Sequence, residues 1–111
     1  MNIQIWGTKK CQNTRKAERY FKERRIKFQF IDLNVKGLSK GELESVAKAV
    51  GAIDHLIDKE GKEYGRRNLK YLVHNVEEEL LSNPLLFKTP IVRNGKKATL
   101  GYCPEQWGQW E

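Results

Sequence analysis

The chain has 111 residues, two cysteines and a formal net charge of +7. That length suits one domain with its own core. Two cysteines are too few for a disulfide scaffold, and no apolar run reaches the roughly 20 residues of a membrane span. Met1 and Asn2 lead straight into a strand-like run rather than a basic and apolar leader, so the expected location is cytoplasmic.

Ile3 to Trp6 is a short apolar run that reads as a buried strand, and Gly7 and Thr8 break it. From about Gln12 the spacing becomes helical, with Thr14, Ala17, Tyr20, Phe21 and Arg24 recurring at three to four residues. Ile26 to Leu33 reads as a second strand. Strand, helix and strand in such close succession predict a right-handed crossover with parallel strands. Ser39 and Glu42 have the capping-box spacing ahead of Leu43, Val46, Ala47 and Val50, so a helix is expected to run to Gly51. Ala52 to Ile57 reads as a short helix and Lys59 to Gly65 as a polar loop. Leu69, Leu72 and Val73, then Val76, Leu80 and Leu81, suggest one or two further helices, stopped by Asn83-Pro84. Pro90 to Arg93 and Lys96 to Leu100 flank Asn94-Gly95, the strongest short hairpin signal. Gly101 ends the second of these strands, and Pro104 fits the first turn of a terminal helix carrying Trp107 and Trp110. The fold class is therefore α/β with a mixed sheet. Residues 1–111 form one domain, and an all-helical insertion occupies about 39–82.

The chemistry is expected at Cys11, which falls in the first strand-to-helix turn. Free backbone N–H groups and the positive end of the helix dipole favour an anion there, and Lys9, Lys10 and Arg15 add charge. A thiol so placed is more acidic and more reactive than a free one. A buried packing cysteine is the alternative, but the flanks Lys9-Lys10 and Gln12-Asn13 are polar. Residues 1–27 hold nine basic side chains against Glu18 and Glu23, so the whole charge excess sits around Cys11. It fits a solvated helix face, a field that draws anionic thiols or oxyanions, or a nucleic-acid footprint. With no nucleic-acid motif beside it, nucleic acid ranks below the anionic substrate. His55 and His74 have no metal-ligand spacing with either cysteine and read as helix-surface residues, so no metal site is expected. Tyr64, Arg66 and Arg67 read as solvated, and Arg93 can face either way.

The order of elements, with a cysteine after the first strand and Thr89-Pro90 opening the hairpin, resembles the thioredoxin fold. The helical insertion, the run Lys10 to Ala17, Pro84-Leu85-Leu86 and Thr89 to Val92 narrow this to a resemblance to the arsenate reductase family, which includes the Spx-type regulators. The resemblance spans essentially the whole chain. It implies Cys11 as a nucleophile that forms mixed disulfides with glutathione or attacks an arsenate oxyanion, a cis Thr89-Pro90 bond facing it, and no bound cofactor. Members that reduce arsenate hold the oxyanion with three arginines. At those places this chain offers Lys59 and Lys62, then Thr89 beside Lys88, then Tyr102, and a lysine cannot form the bidentate fork of a guanidinium. Spx-type regulators use a Cys-x-x-Cys switch; here Thr14 stands at the second position, where it is either a thiolate donor or an ordinary first-turn residue. Cys103, in the turn after the last strand, is either a resolving cysteine or a packing residue under Trp107. The leading expectation is a cytosolic thiol oxidoreductase using glutathione or another small thiol. The alternatives are a regulator docking on RNA polymerase and a true arsenate reductase.

Overall fold

The computed structural model describes residues 1–71 and 75–110. Strand β1 (Ile3–Gly7), helix α1 (Gln12–Glu23) and strand β2 (Phe28–Asp32) open the chain, and β2 pairs in parallel with β1. Strands β3 (Ile91–Asn94) and β4 (Lys97–Leu100) add to the other side of β1 as an antiparallel hairpin, giving the sheet order β2-β1-β3-β4. The mixed α/β sheet expected from the sequence is the one that forms.

β1 lies inside the sheet and is covered on both faces, which is why its sequence is a continuous apolar run rather than an alternation. Ile3 and Ile5 pack with Ala17, Tyr20, Phe21, Val92 and Trp107, so α1 and the terminal helix α5 (Pro104–Gln109) cover one face. Trp6 packs with Leu43, Val46, Leu56, Leu80 and Ile91, so α2 (Lys40–Val50) and the inserted helices cover the other. Burying each such side chain contributes about 1.5–3 kcal/mol, and the two clusters together clamp the C-terminal end of β1, where Cys11 follows. The capping box at α2 is complete: Ser39 Oγ accepts from the Glu42 N–H at 3.2 Å, and Glu42 Oε1 accepts from the Ser39 N–H at 2.8 Å.

Five local expectations need correction or a boundary. The stretch from Lys59 to Gly65 is not wholly a loop, because α3 (Lys62–Arg66) fills its second half. A five-residue helix is too short for periodicity to reveal. It buries Tyr64, and Glu63 pairs within the helix with Arg66 at 2.6 Å and ties the helix to Asn83 Nδ2 at 2.6 Å. Arg67 reaches Glu79 of α4 (Val76–Ser82) at 2.9 Å; of the cluster expected to be solvated, Arg66 and Arg67 are exposed and only Tyr64 is buried. Asn83-Pro84 ends α4, yet the chain continues at once as a 3-10 turn over Pro84–Leu86. The hairpin turn lies one residue later than Asn94-Gly95 suggests. Asn94 pairs with Lys97, and Gly95 takes the first central position at φ +62°, where glycine avoids the Cβ clash. Leu72, Val73 and His74 lie outside the described residues.

Candidate active site

Cys11 is the N-cap of α1, in extended conformation at φ −77° and ψ 117°. Its N–H donates to Thr8 O at 3.1 Å and its carbonyl accepts from the Arg15 N–H at 3.2 Å, which fixes the turn between β1 and α1. The side chain is half-buried and faces Thr89 across the cis Thr89–Pro90 bond that the sequence led us to expect. Thr89 Oγ1 donates to Cys11 Sγ at 3.1 Å, while Sγ lies 3.8 Å from Thr89 O. The thiol form can therefore donate to the carbonyl, and the thiolate form can accept from the hydroxyl.

Thr14 lies in the first turn of α1, fully buried, and Thr14 Oγ1 has no partner of ordinary hydrogen-bond geometry. Its hydroxyl is set to serve the sulfur once that becomes an anion. The room for it comes from Gly7, where a Cβ would collide with both the hydroxyl and the methyl of Thr14. Burial pushes the Cys11 thiol up, but the hydroxyls of Thr14 and Thr89 and the N–H groups of Thr14 and Asn13 outweigh it and hold the thiol below its ordinary value. The expected acidity is thus present, with a different cause from the flanking cations. Lys9 points elsewhere, with Nζ 3.4 Å from Glu18 Oε2 and 4.2 Å from the Phe30 ring centre.

A cavity of about 430 Å³ opens over the sulfur, lined by Cys11, His55, Asp58, Lys88, Thr89, Leu100 and Gly101. It is assembled by an isolated bridge between Ile57 and Phe87, in which Asp58 N donates to Leu86 O at 2.8 Å and Lys88 N donates to Leu56 O at 2.7 Å. That bridge brings the middle of the insertion beside the segment that ends in Pro90, whose carbonyl accepts from the Gly101 N–H at 2.8 Å. Among the described residues no arginine lines this cavity.

Of the residues singled out in the sequence, Cys11, Lys88 and Thr89 meet at this cavity, with Pro90 and Thr14 directly behind them. Lys59 lines an adjoining hollow with His55 and Lys88, and Lys10 lines another with Thr8 and Thr89. Arg15 is exposed on the outer side of α1. Tyr102 is exposed too, its ring 5.6 Å from that of Trp107 and 5.8 Å from Lys16 Nζ, outside the lining of the Cys11 cavity. Arg93 turns toward α2, with Nη2 3.3 Å from Ser45 Oγ and Nη1 3.4 Å from Gln4 Oε1. Cys103 Sγ donates to Leu100 O at 3.1 Å and packs with the Trp107 cluster, and burial pushes its thiol up. His55 and Asp58 were missed as cavity residues. His55 is on a surface 3-10 turn, as its helical surface reading implied, but that turn borders the site. The only sequence signal was their place in the His55 to Lys62 window.

Comparison with known proteins agrees with this geometry. The model of the ArsC family matches residues 6–110. The global transcriptional regulator Spx 2 of Oceanobacillus iheyensis is 27% identical over 92% of this chain and 78% of its own. An ArsC family related protein from Bacteroides fragilis superposes with a TM-score of 0.86 at 19% identity, covering 100% of this chain and 98% of that one. An arsenate reductase from Vibrio cholerae superposes with a TM-score of 0.83 at 22% identity, over 98% and 97% of the two chains.

Proposed function

The chain belongs to the ArsC family, and from that premise we propose that it is a thiol–disulfide oxidoreductase whose single nucleophile is Cys11 and whose co-substrate is a small thiol such as glutathione. The observation that carries this reading is the Thr89 hydroxyl donating to Cys11 Sγ at 3.1 Å in a cavity open to a substrate. The Cys11 thiolate attacks one sulfur of a disulfide; a new sulfur–sulfur bond forms as the old one breaks, and the departing thiolate takes a proton from water. A second thiolate then attacks the mixed disulfide and releases Cys11. The net result is one thiol–disulfide exchange: one half of the original disulfide leaves as a thiol, and the other passes to the incoming thiol as a new disulfide. An external thiol suits the second step better than Cys103, whose sulfur donates to Leu100 O and packs away from the cavity lining.

The charge mixture of the cavity supports a thiol substrate over arsenate. Lys88 and Asp58 stand at the same rim, and a carboxylate there opposes a bare oxyanion but suits a ligand carrying both ammonium and carboxylate groups. Arsenate reduction would require lysines to serve for the guanidinium forks. Similarity to an Spx regulator over nearly the whole chain favours one second reading, docking on RNA polymerase in the cytoplasm. With Thr14 buried in place of a second switch cysteine, such docking would not be controlled by a local disulfide. Exposure to oxidised glutathione followed by intact mass and peptide mapping tests the main reading. One glutathionyl group on Cys11, removed by added thiol, is expected; no adduct, together with binding to RNA polymerase, would favour the second.

A further inference from the structure

The outer face of α1 carries a charge that the chemistry at Cys11 does not use. Arg15, Arg19 and Lys22 follow one another along this face with Lys16 beside them, all exposed. Among the described residues, none of them has a carboxylate within ion-pair distance. Like charges three and four residues apart destabilise a helix, so local stability does not account for the row. At its far end lies a hollow of about 450 Å³ lined by Lys22, Arg25, Ile26, Lys27 and Phe28, an apolar floor with cations at the rim.

Distance decides what the row can act on. At 1.5 Å per residue, Arg19 and Lys22 lie about 12 and 16 Å along the helix from Cys11. Screening at about 0.1 M salt acts over about 10 Å, so a small disulfide seated on the sulfur feels little of them. A ligand that uses the whole row has to lie along α1. We propose that this face docks an acidic, extended segment of a partner protein whose disulfide is exchanged at Cys11, with carboxylates along Arg15, Arg19 and Lys22 and an apolar side chain in the hollow beyond. The proposal rests on the thiol-exchange reading. At about 3.3 Å per residue, about five residues of such a segment span from the sulfur to Lys22. Nucleic acid would meet the charge but not the rest. The Phe28 ring packs on Phe21 at 6.4 Å, and the Tyr102 ring has Trp107 at 5.6 Å and Lys16 Nζ at 5.8 Å, so both rings already have partners.

The test uses synthetic peptides that each carry one cysteine as a mixed disulfide with a chromogenic thiol, followed by eight residues of Glu, Gln or Lys with a Leu near the end. At low salt the Glu peptide should react with Cys11 about tenfold faster than the Gln peptide, the Lys peptide slowest. The advantage should shrink with salt and in R19E/K22E, and in R19Q/K22Q should the reversal variant fail to fold. Mixed glutathione disulfide should react within about twofold of wild type in both variants, because it does not reach the row. Equal rates for Glu and Gln peptides, or an advantage that survives in both variants, overturns the proposal. If no disulfide reacts at all, the exchange reading fails by itself. The docking claim then stands if a fluorescent Glu peptide with Ser in place of Cys binds wild type more tightly than R19Q/K22Q, and falls if the two bind alike. Duplex DNA that binds more tightly than the Glu peptide at about 0.15 M salt assigns the face to nucleic acid instead and overturns it.

Discussion

Cys11 and Cys103 occupy matching places. Each is the N-cap of a helix that follows a strand closely, and neither side chain caps its helix. Both are half-buried, and burial pushes both thiols up. They nevertheless end on opposite sides of the ordinary cysteine value. Cys11 is surrounded by donors, the hydroxyls of Thr14 and Thr89 and two backbone N–H groups, and these stabilise the anion. Cys103 has one donor, Thr99, which burial outweighs, and its own thiol donates to Leu100 O at 3.1 Å. Both stand at a helix N-terminus, but only at Cys11 do the N–H groups of the first turn act on the sulfur. The number of donors set against burial separates them, four at Cys11 and one at Cys103.

The comparison can be broken most sharply by removing one sulfur at a time. Cys11→Ser should abolish mixed-disulfide formation with oxidised glutathione, while Cys103→Ser should leave it intact; intact mass spectrometry reads both. Thr14→Val keeps the shape and deletes the donor. A hydrogen bond to a charged group contributes about 1.5–3 kcal/mol, so alkylation of Cys11 at pH 7 should slow by about tenfold or more. Gly7→Ala acts on the same hydroxyl from behind. Its methyl has to displace Thr14, so Cys11 should lose several-fold in reactivity and the fold about 1–3 kcal/mol, measured by iodoacetamide rates and urea unfolding. Cys103→Ala is the mildest. It removes a sulfur packed against the Trp107 cluster, costs about 1 kcal/mol, and leaves the pH profile of Cys11 where it was.

Much of this was legible in the sequence because the signals were local. The Ser39 and Glu42 capping pair, the buried positions of α1 and the proline at the start of α5 each declare an element within a few residues. Cys11 was legible for the same reason, as a polar-flanked cysteine between a strand and a helix. Its cause of acidity was legible in part: the helix-start N–H groups were foreseen and Thr14 was one of two readings, but the Thr89 hydroxyl was not. Lys9 and Lys10 are its neighbours in the chain, but Thr89 reaches the sulfur only through the fold, and Thr14 only because Gly7 lacks a Cβ. His55 and Asp58 were hidden likewise, since the Ile57 to Phe87 bridge that brings them to the cavity joins segments thirty positions apart. The α3 helix was missed because its five residues leave no period to read.

The central claim is that the donors reaching Cys11, two hydroxyls and two N–H groups of the helix start, make it the reactive thiol. The most direct measurement is the alkylation rate of each cysteine against pH, followed by peptide mapping. Because the Cys11 pKa is lowered, its rate should rise and level off below the ordinary cysteine range; because that of Cys103 is raised, its rate should still be climbing above that range. In Thr14→Val the Cys11 curve should move to higher pH while the Cys103 curve stays in place. Coincident curves in the wild type, or a Cys11 curve that Thr14→Val does not move, would contradict the account.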